Sequence, residues 1–498
     1  MKFTLIHTSD VHGVFNNKYK GYLPILNYIK SLKGDVLKID TGDALQGSPE
    51  MTFAKNNFQN LSNPLIEVFN QINYDYYIPG NHDFNYGLKY LKQFTDNIHS
   101  KTLAANINTP EGKLYKPYDI IKIKDKVVAI IGFTNHYIPN WESKETLGNL
   151  AFENPLKSIK EILDEITDQY HPNLVIVGYH GGFECDDQFN VIKKHGENVA
   201  CQMIDPRIDV MLTSHEHRLF IKQKEFTYIT QAGYQGAHLI QLEIEINQSN
   251  QTIIHPKIIN LSQSSVQHSF LNIDTFLYHN ERYLNEVIAT NQSQHSLEIH
   301  DQTLDRINKP YLAQLINHIQ LKTTGAQISS CSLGNEITGL PNKIRVKDVL
   351  NTYIYPNTLI LCELTGETLM QALIENAQFF DIDQDKITIS KRFLEPKKEL
   401  YQYDFYDGIH YEILITKEGN RISNASLQGE PIDPMKRYTI ALNSYRYLGG
   451  GYPTWQKDLK LIKEFQVDIS EIIIEYLKKK ATIDIPYENN IKLIKEFM

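Results

Sequence analysis

Short apolar runs alternate with longer amphipathic stretches through the first half of the chain. Runs of about four to eight Val, Ile and Leu residues are typical of buried strands, and the stretches between them are long enough for crossover helices. The runs are FTLIHT (3 to 8), VLKID (36 to 40), VVAIIGFT (127 to 134), NLVIVGYH (173 to 180) and DVMLTSH (209 to 215). The pattern predicts a layered α/β domain.

The pattern changes after about residue 262, where LSQSSVQHSF and later TNQSQHSLEIHDQ are rich in Ser, Gln, Asn and His. Such stretches are typical of connecting segments. Between them, apolar residues recur at helical spacing from 273 to 288, with Asn272 or Asp274 available as a cap. We therefore predict a first domain at 1–262, a linker with a helix at 263–305 and a second domain at 306–498.

The second half shows its own alternation of elements. A helical face at 310–319 is followed by the strand-like TLILCELT (358 to 365) and the helix-like TLMQALIENA (368 to 377). Three aromatic turns accompany them, namely TYIYPNT, YQYDFYDGIHYEI and NSYRYLGGGYP. This pattern predicts a second α/β domain with a separate core.

Composition and charge limit the classes of molecule that the protein is expected to bind. The 498 residues are 41% hydrophobic and 22% charged, as expected of a globular protein with more than one domain. A formal charge of −9 without a long Lys/Arg block argues against a nucleic-acid polymer or an anionic membrane as the main partner. An anionic substrate would therefore need local positive charge, which metal ions could supply.

The opening segment MKFTLIHTSD is interrupted by Thr4, His7 and Thr8 before a secretory apolar core can form. No later run reaches the roughly 18 apolar residues of a membrane span. We predict a cytoplasmic location unless a leader was removed, and the sequence leaves the oligomeric state open.

The four cysteines, Cys185, Cys201, Cys331 and Cys362, form no CxxC pair and lie in or beside apolar segments. Neither a thiolate zinc site nor a redox motif is indicated. We predict buried or free thiols.

Several apolar runs give way at once to metal-binding side chains. In open α/β sheets the loops after the carboxyl ends of the strands converge on one edge, so these side chains should meet. They are Asp10, His12, Asp43, Asn81, His180, His215 and His217. Imidazole with carboxylate and amide oxygen suits Zn²⁺, Mn²⁺, Fe or Co rather than Ca²⁺. Seven ligands exceed one tetrahedral site, so we predict two divalent ions that share Asp43, an arrangement typical of phosphoester hydrolysis.

In chain order, HTSDVHG, DTGDALQGSP, PGNHDFNYG, GYHGG and SHEH resemble the calcineurin-like metallophosphoesterases, specifically the family of 5′-nucleotidases and 2′,3′-cyclic-nucleotide 2′-phosphodiesterases. The resemblance covers nearly the whole chain. It implies a layered α/β-β-α metallophosphoesterase domain, a linker helix and a second α/β domain that binds nucleotides. It also implies a metal-dependent nucleotide phosphohydrolase in which a metal-bridging hydroxide attacks phosphorus.

The resemblance implies a division of the ligands. Asp10, His12, Asp43 and His217 would hold one ion, and Asp43, Asn81, His180 and His215 the other. His82, next to Asn81, would face the substrate phosphate, stabilise the transition state and assist the leaving oxygen.

The chain departs from one pattern of that family. Many 5′-nucleotidases read NHEFD, whereas this chain reads NHDFN and places Asn85 where the pattern has a carboxylate. An amide does not stabilise imidazolium as a carboxylate does, so the partner of His82 stays open between Asp83 and a carboxylate from another loop, such as Glu184 or Asp187.

Two features favour one branch of the family. NYGL at 85 to 88 matches the cyclic-nucleotide branch, and the segment GAQISSCSLGNEITGLPNKIRVKDV lacks the Gly-Gly-x-Arg motif of the 5′-nucleotidases. We predict a 2′,3′-cyclic-nucleotide 2′-phosphodiesterase with 3′-nucleotidase activity. The alternatives are a 5′-nucleotidase and, in another class, a non-catalytic nucleotide sensor.

A nucleoside needs a flat apolar clamp, and stacking on an aromatic ring stabilises each base by about 1–3 kcal/mol. The resemblance implies a sandwich between Tyr355 in IYPNT and Tyr445 in NSYRYLGGG. Neighbours of Tyr445 complete the predicted substrate-binding set, namely Asn443, Arg446, Tyr447, Leu448, Gly449 and Gly450. A core tyrosine is the alternative for Tyr355, and DFYDGIHYE could line the same pocket or form a hairpin.

Overall fold

The computed structural model describes residues 1–498 except 17–19, 58–62, 143, 184, 186–188, 192–195, 262–270, 356, 396–397, 417, 452–457 and 497–498. The chain divides into two compact units, Met1–Asn280 and Glu281–Met498. The boundary lies within a helix, Leu271–Leu284, in the region of the predicted linker helix. The helix ends before 288, because Val287–Asn291 forms a strand that pairs with Lys343–Arg345. The limits 1–262, 263–305 and 306–498 stay a prediction.

The first unit contains both strands and helices. Its strands are β1 (Lys2–Thr8), β2 (Val36–Asp40), β3 (Tyr76–Tyr77), β4 (Lys101–Thr102), β5 (Ile107–Thr109), β6 (Gly112–Lys113), β7 (Tyr118–Ile123), β8 (Lys126–Phe133), β9 (Ala151–Phe152), β10 (Leu174–Tyr179), β11 (Val210–Thr213), β12 (Leu219–Lys224), β13 (Thr227–Ala232), β14 (His238–Ile246) and β15 (Thr252–Asn260). Its helices are α1 (Tyr22–Ser31), α2 (Pro49–Asn57), α3 (Pro64–Ile72), α4 (Gly87–Thr95), α5 (Lys144–Leu147), α6 (Ile159–Tyr170) and α7 (Ala200–Met203), and α8 (Leu271–Leu284) crosses the boundary. Short 3₁₀ turns lie at His82–Phe84, Ile138–Asn140 and Pro155–Lys157.

Two six-stranded sheets form the centre of the first unit, in the orders β15-β14-β1-β2-β3-β4 and β12-β13-β11-β10-β8-β7. Fully buried side chains of both sheets, such as Leu5 and Ile39 of one and Ile130 and Ile176 of the other, share one core. Helix α6 packs Leu163 on the outer side of the second sheet. This arrangement confirms the layered α/β-β-α domain that the sequence predicts.

The direction of the strands brings their following loops together. β1, β2 and β3 are mutually parallel neighbours, and so are β10 and β11 in the other sheet. The loop after β1 is joined to the loop after β2 by a backbone hydrogen bond from Asp10 N to Gly42 O of 2.9 Å. The polar residues after these five strands therefore gather at the carboxyl ends, as expected of an open α/β sheet.

The second unit has its own sheets and core. Its strands are β16 (Val287–Asn291), β17 (Ile328–Ser332), β18 (Lys343–Arg345), β19 (Thr358–Thr365), β20 (Phe380–Asp383), β21 (Lys386–Ile389), β22 (Asp404–Asp407), β23 (His410–Ile415), β24 (Arg421–Leu427), β25 (Glu430–Pro431), β26 (Arg437–Asn443), β27 (Lys460–Asp468), β28 (Thr482–Ile483) and β29 (Ile491–Lys495). Its helices are α9 (Leu304–Ile307), α10 (Tyr311–Thr324), α11 (Val346–Thr352), α12 (Gly366–Ala377), α13 (Ser444–Tyr447) and α14 (Ile469–Lys480), with 3₁₀ turns at Lys391–Phe393 and Leu400–Gln402. The mixture confirms a second α/β domain.

A five-stranded sheet in the order β22-β17-β26-β19-β27 forms the main layer of this unit. β22 and β23 belong to different sheets, so DFYDGIHYE is not a hairpin. Its aromatic residues Phe405, Tyr406 and Tyr411 are buried in the core instead.

The cysteines behave in two ways. Cys331 and Cys362 are buried thiols, as predicted. Cys185 and Cys201, by contrast, form a disulfide across 16 positions, with Cα atoms 6.3 Å apart, which corrects the prediction of free thiols for this pair. The pairing depends on a contact made by the fold, between Cys185 and helix α7, and no CxxC spacing announces it.

Within the part of the chain that the structure describes, no helix has the length and apolar character needed to cross a bilayer.

Candidate functional site

Left-handed backbone marks the loops that carry the predicted metal ligands. Five of the seven ligands have φ between 52° and 73°, namely Asp10, His12, Asp43, His215 and His217. Such angles are uncommon outside glycine and cost roughly 1–3 kcal/mol each. They turn the chain sharply after each strand. A local conformation of this kind at five polar residues in one place indicates that side-chain position, rather than stability, decides the structure here.

One group consists of Asp10, His12, Asp43 and His217, whose ligand atoms lie within 4.8 Å of one another. His12 Nδ1 donates to the carbonyl oxygen of Gln46 at 2.8 Å, which directs His12 Nε2 into the group. There it lies 3.1 Å from His217 Nε2 and 3.8 Å from Asp43 Oδ2. His217 itself stacks on Tyr234, with ring centroids 4.3 Å apart.

A second group consists of Asp43, His180 and His215, again with ligand atoms within 4.8 Å. His180 Nδ1 donates to the carbonyl oxygen of Thr41, and its Nε2 lies 3.3 Å from Asp43 Oδ2. Asn81 Oδ1 lies 3.1 Å from His180 Nε2 and 2.8 Å from His215 Nδ1. Asp43 thus belongs to both groups, which is the position that a bridging carboxylate requires.

The buried oxygens of this cluster provide a test of whether a cation fits. Among the described residues, neither Asp10 Oδ2 nor Asp43 Oδ2 accepts a hydrogen bond of good geometry, although both atoms are buried and His180 Nε2 lies 3.3 Å from Asp43 Oδ2. A buried carboxylate oxygen without a donor is costly unless a cation neutralises it. The donor set of imidazole, carboxylate and amide oxygen suits a divalent ion of the Zn²⁺, Mn²⁺, Fe or Co type. The residues therefore fit two ions, although metal binding itself stays a prediction.

The pKa shifts of Asp10 and His180 also agree with a site for cations. Burial raises the pKa of Asp10 to about 7, with His180 opposing and Asp43 reinforcing the rise. Burial would lower the pKa of His180, but the carboxylates of Asp43 and Asp10 raise it to about 9. The cluster consequently attracts positive charge, which a proton or a divalent cation supplies.

Asp83 supports the cluster from behind. Its carboxylate is fully buried and accepts four backbone N–H groups, from Gly80, Asp43, Ala44 and Leu45, at 2.7 to 2.9 Å. A carboxylate engaged in this way holds the DTGD and GNHD loops together. Asp83 is therefore not the partner of His82, and the sequence analysis missed its positioning role. The paired occurrence of Asp in both motifs is the signal that could have indicated it.

Gly80 leaves no room for a side chain. A Cβ atom there would lie 2.3 Å from Asp43 Oδ1 and 2.5 Å from His180 Cε1. The glycine of PGNHD therefore permits the two loops to approach each other closely.

His82 lies at the start of the 3₁₀ turn after Asn81. Its backbone N–H donates to Asp43 Oδ1 at 2.7 Å, and its Nδ1 lies 2.8 Å from Asn85 Oδ1. The amide nitrogen of Asn85 in turn donates to Glu142 Oε1 at 2.5 Å. Within the described residues, Asn85 is thus a partner of His82 Nδ1, and Asn85 in turn contacts the carboxylate of Glu142. Glu184 and Asp187 lie outside the described residues.

Two residues that the sequence analysis did not single out frame the cluster. Trp141 stacks on His215, with centroids 5.4 Å apart and an interplanar angle of 21°. Together with Tyr234 on His217, it covers an imidazole of each group. Their sequence context, an isolated aromatic in a loop, carries no motif by which either could have been found.

In the second unit, Tyr355 and Tyr445 flank the same end of two neighbouring strands. Tyr355 precedes β19 and Tyr445 follows β26, and these strands pair antiparallel with Leu359 opposite Asn443. Thr358 N donates to Ser444 Oγ at 3.2 Å and joins the two segments. Tyr355 is 38% exposed, so it is not the core tyrosine of the alternative interpretation. Tyr401, which the sequence did not single out, meets the Tyr445 ring edge-on with centroids 6.4 Å apart.

Arg446 has a structural role, and its substrate contact stays a prediction. Its side chain is buried and pairs with Asp404 through Nε and Nη2. The remaining N–H groups donate to Gln402 Oε1 and to the carbonyl oxygens of Gly450 and Tyr401. All five donors of the guanidinium are therefore used within the protein.

Asn443 is likewise committed to the fold. It is buried, and its Oδ1 accepts the backbone N–H of Arg446 at 2.8 Å, which caps helix α13. Gly450 lies directly against the Tyr445 ring, where a Cβ atom would approach Cζ to 2.3 Å. Tyr447 packs against the core of the unit, and the backbone of Leu448 and Gly449 closes the turn. Substrate contacts of Tyr447, Leu448, Gly449 and Gly450 stay predictions.

Comparisons with known proteins match both units. Residues 3–219 match the family description calcineurin-like phosphoesterase, and residues 287–458 match 5′-nucleotidase, C-terminal domain. A 2′,3′-cyclic-nucleotide 2′-phosphodiesterase/3′-nucleotidase of Haemophilus influenzae is 24% identical over 95% of this chain and 84% of its own. Protein UshA of Escherichia coli is 22% identical over 97% of this chain and 92% of its own.

Solved structures agree over the full length. A Staphylococcus aureus protein described as a 5′-nucleotidase, solved with alpha-ketoglutarate, superimposes with a TM-score of 0.92 at 27% identity and covers 100% of both chains. A 5′-nucleotidase precursor from Thermus thermophilus gives 0.71 at 19% identity over 100% of both chains, which shows the shared fold.

Proposed function

The chain belongs to the calcineurin-like phosphoesterases that carry a 5′-nucleotidase C-terminal domain, and we propose that it is a nucleotide phosphohydrolase of the 2′,3′-cyclic-nucleotide 2′-phosphodiesterase/3′-nucleotidase type. Membership makes it a phosphoester hydrolase, and the calcineurin-like phosphoesterases use divalent metals. The observation that carries the proposal is Asp43, which belongs to both groups of ligand side chains beside His82. A nucleotide as substrate also fits the domain that follows.

We assign one ion to Asp10, His12, Asp43 and His217, and the other to Asp43, Asn81, His180 and His215. When bound, two divalent ions neutralise charge on phosphoryl oxygens and bring the pKa of a bound water to near neutrality. Mn²⁺, Zn²⁺, Fe and Co stay candidates, because the donor set suits each of them.

The protein side chains have separate tasks. Gln46 O and Thr41 O hold the Nδ1 protons of His12 and His180, so both rings present Nε2 to the cluster. Asn85 Oδ1 holds the Nδ1 proton of His82, which leaves His82 Nε2 for the phosphate or for the leaving oxygen. A positioned acid or base of this kind typically contributes about 10²- to 10⁴-fold to the rate.

The second unit is proposed to bind the nucleoside. Tyr355 and Tyr445 lie at one end of the strand pair β19 and β26, and the tight turn at Gly450 supports the Tyr445 ring. Stacking on two tyrosines tolerates any base, because every base has a π face.

The nucleotide specificity is supported by sequence features and by names. NYGL at 85 to 88 and the missing Gly-Gly-x-Arg motif favour cyclic and 3′-nucleotides, and the Haemophilus influenzae relative carries that activity in its name. The alternative is a 5′-nucleotidase, the description of the Staphylococcus aureus structure.

Hydrolysis of 2′,3′-cyclic AMP, 3′-AMP and 5′-AMP by the purified protein with added Mn²⁺ separates these alternatives. We expect the first two to be cleaved and 5′-AMP to be the poorest substrate. Preferential cleavage of 5′-AMP would establish the 5′-nucleotidase instead. A nucleotide sensor would bind all three without turnover, and its ligand response would survive His82→Ala.

The cytoplasmic location stays a prediction. The disulfide between Cys185 and Cys201 argues against it, because disulfides persist mainly in oxidising compartments. Fractionation of cells that produce the protein, with thiol labelling of the two cysteines, distinguishes the locations.

A further inference from the structure

The side chains of His82, Asn85 and Glu142 form a directed series of hydrogen bonds. His82 Nδ1 lies 2.8 Å from Asn85 Oδ1, and Asn85 Nδ2 lies 2.5 Å from Glu142 Oε1. We propose that Glu142 is a positioning residue for catalysis, which orients the amide of Asn85 and thereby fixes the proton of His82 on Nδ1. The inference rests on the proposed function, in which His82 Nε2 serves the phosphate or the leaving oxygen.

The direction of the series follows from what each group can donate. An ionised carboxylate only accepts hydrogen bonds, so the side of Asn85 that faces Glu142 must be the NH₂ group. The carbonyl oxygen of Asn85 then faces His82. An amide oxygen also only accepts, so the facing ring nitrogen, Nδ1, must carry a proton. Without Glu142 the amide could rotate by half a turn and present NH₂ to His82, which would favour the other tautomer.

Glu142 is held in place by its own turn. The 3₁₀ turn Ile138–Asn140 precedes it, Ile138 is fully buried, and Glu142 N donates to Ile138 O at 3.0 Å. The preceding residue, Trp141, stacks on His215 of the metal cluster. The same short segment therefore contacts both a predicted metal ligand, through Trp141, and Asn85, through Glu142. A residue that only joined two surface loops would not require both contacts.

Glu142 also accounts for the missing carboxylate in NHDFN. A bond from an amide to an ionised carboxylate is shorter and about twice as strong as one between neutral groups. It polarises the amide and strengthens the next bond in the series. The negative charge is thus supplied by Glu142 in the loop after β8, and it acts on His82 through the side chain of Asn85. No sequence motif marks Glu142 for this role.

The kinetic test uses Glu142→Gln, the double variant Asn85→Asp/Glu142→Gln, and Glu145→Gln as a control at an exposed position of the neighbouring helix α5. A neutral amide at position 142 no longer forces the orientation of Asn85. We therefore expect kcat of Glu142→Gln to fall about 10- to 100-fold, the usual effect of losing such a partner, with little change in KM or metal content.

The double variant and the control sharpen this test. In the double variant, the carboxylate introduced at position 85 accepts directly from His82, and the amide introduced at position 142 donates to that carboxylate. Most of the lost kcat should therefore return, and Glu145→Gln should match the wild type. Unchanged kcat in Glu142→Gln would overturn the inference, and so would a loss that the double variant does not restore. Wild-type protein that cleaves none of the nucleotides would instead contradict the proposed function.

A spectroscopic test does not depend on turnover. In zinc-loaded protein with ¹⁵N-labelled histidine, the His82 resonances, assigned with His82→Gln, should show a protonated Nδ1 and an unprotonated Nε2. Glu142→Gln should shift them toward a tautomer mixture, and the double variant should restore them. Ring shifts that are identical in wild type and Glu142→Gln would overturn the proposed role.

Discussion

The predicted metal cluster of the first unit and the Tyr445 turn of the second unit each contain a buried carboxylate, yet they differ in how far the protein itself satisfies their polar groups. Asp83 accepts four backbone N–H groups below the cluster, and Asp404 pairs with Arg446 below the turn. In the region of Asp83, within the described residues, one buried oxygen of Asp10 and one of Asp43 accept no hydrogen bond. In the region of Asp404, by contrast, every N–H group of the Arg446 guanidinium donates to an acceptor within the protein.

The difference teaches how to separate ligand-binding from structural polar residues. A buried polar group whose hydrogen bonds are complete stabilises the fold, whereas two neighbouring buried carboxylates that each keep an oxygen without a hydrogen bond favour a bound cation. By this criterion we expect the first region to bind through its charged groups. For the second region, the rings of Tyr355 and Tyr445 stay the predicted contacts to a substrate.

The largest effect is expected from replacing Asp43, the residue that both ligand groups of the first region share. Asp43→Asn removes the carboxylate common to both groups, so both ions lose a ligand and several kcal/mol of charge stabilisation. We expect kcat/KM to fall about 10⁴-fold and bound metal to be lost. Metal analysis and nucleotide hydrolysis measure both. Asp96→Asn, at a mostly exposed carboxylate, serves as the control. Retained metal and activity would contradict the bridging role.

The next largest effect concerns the buried pair of the second region. Asp404→Asn leaves Arg446 charged and unpaired in the core, which should lower the free energy of unfolding by about 3–5 kcal/mol. Glu363→Gln breaks a half-exposed pair with Arg437 and should cost less than about 1 kcal/mol. Urea denaturation compares the two variants. Equal stability of both would show that Arg446 is not structural.

A smaller effect tests the aromatic surface. Tyr445→Ala removes one side of the proposed clamp, so we expect KM to rise by the equivalent of about 1–3 kcal/mol, with kcat largely kept. Tyr445→Phe keeps the ring and should behave like the wild type. A hydrolysis assay on a non-nucleoside phosphodiester provides the contrast, because the clamp would not contribute there. An equal loss on both substrates would argue against base stacking.

The smallest effect sharpens the distinction between the two kinds of polar residue. Asn443→Ala removes the cap of helix α13 and should cost about 1 kcal/mol of stability. Because the Asn443 side chain faces Arg446 N, KM should change little. Thermal unfolding and steady-state kinetics decide the point. A large rise in KM at unchanged stability would return Asn443 to the substrate site.

The sequence predicted the layered fold and the gathering of the seven ligand residues well, because both follow from local patterns. Short apolar runs in the sequence indicate buried strands, and the carboxyl ends of parallel strands meet at one edge of the sheet. His180 and His215, for example, needed only their positions directly after β10 and β11.

Contacts made by the fold were beyond such reasoning. Arg446 beside three glycines suggests a ligand site, and its pairing with Asp404 depends on a sheet whose strands are distant in sequence. Glu142 reaches Asn85 across 57 positions, and no spacing rule connects them. The disulfide of Cys185 was missed for the same reason.

The left-handed backbone at the predicted metal ligands has a consequence for the evolution and engineering of this chain. Each such residue works against folding, and glycine would relieve that opposition. The His217 side chain is 38% exposed, so its removal gives up the stacking on Tyr234 but little buried surface. Replacement of His217 by glycine should therefore raise the melting temperature of the metal-free protein while impairing catalysis. A selection for thermal tolerance alone would erode this centre first, so libraries aimed at robustness should leave these loops untouched.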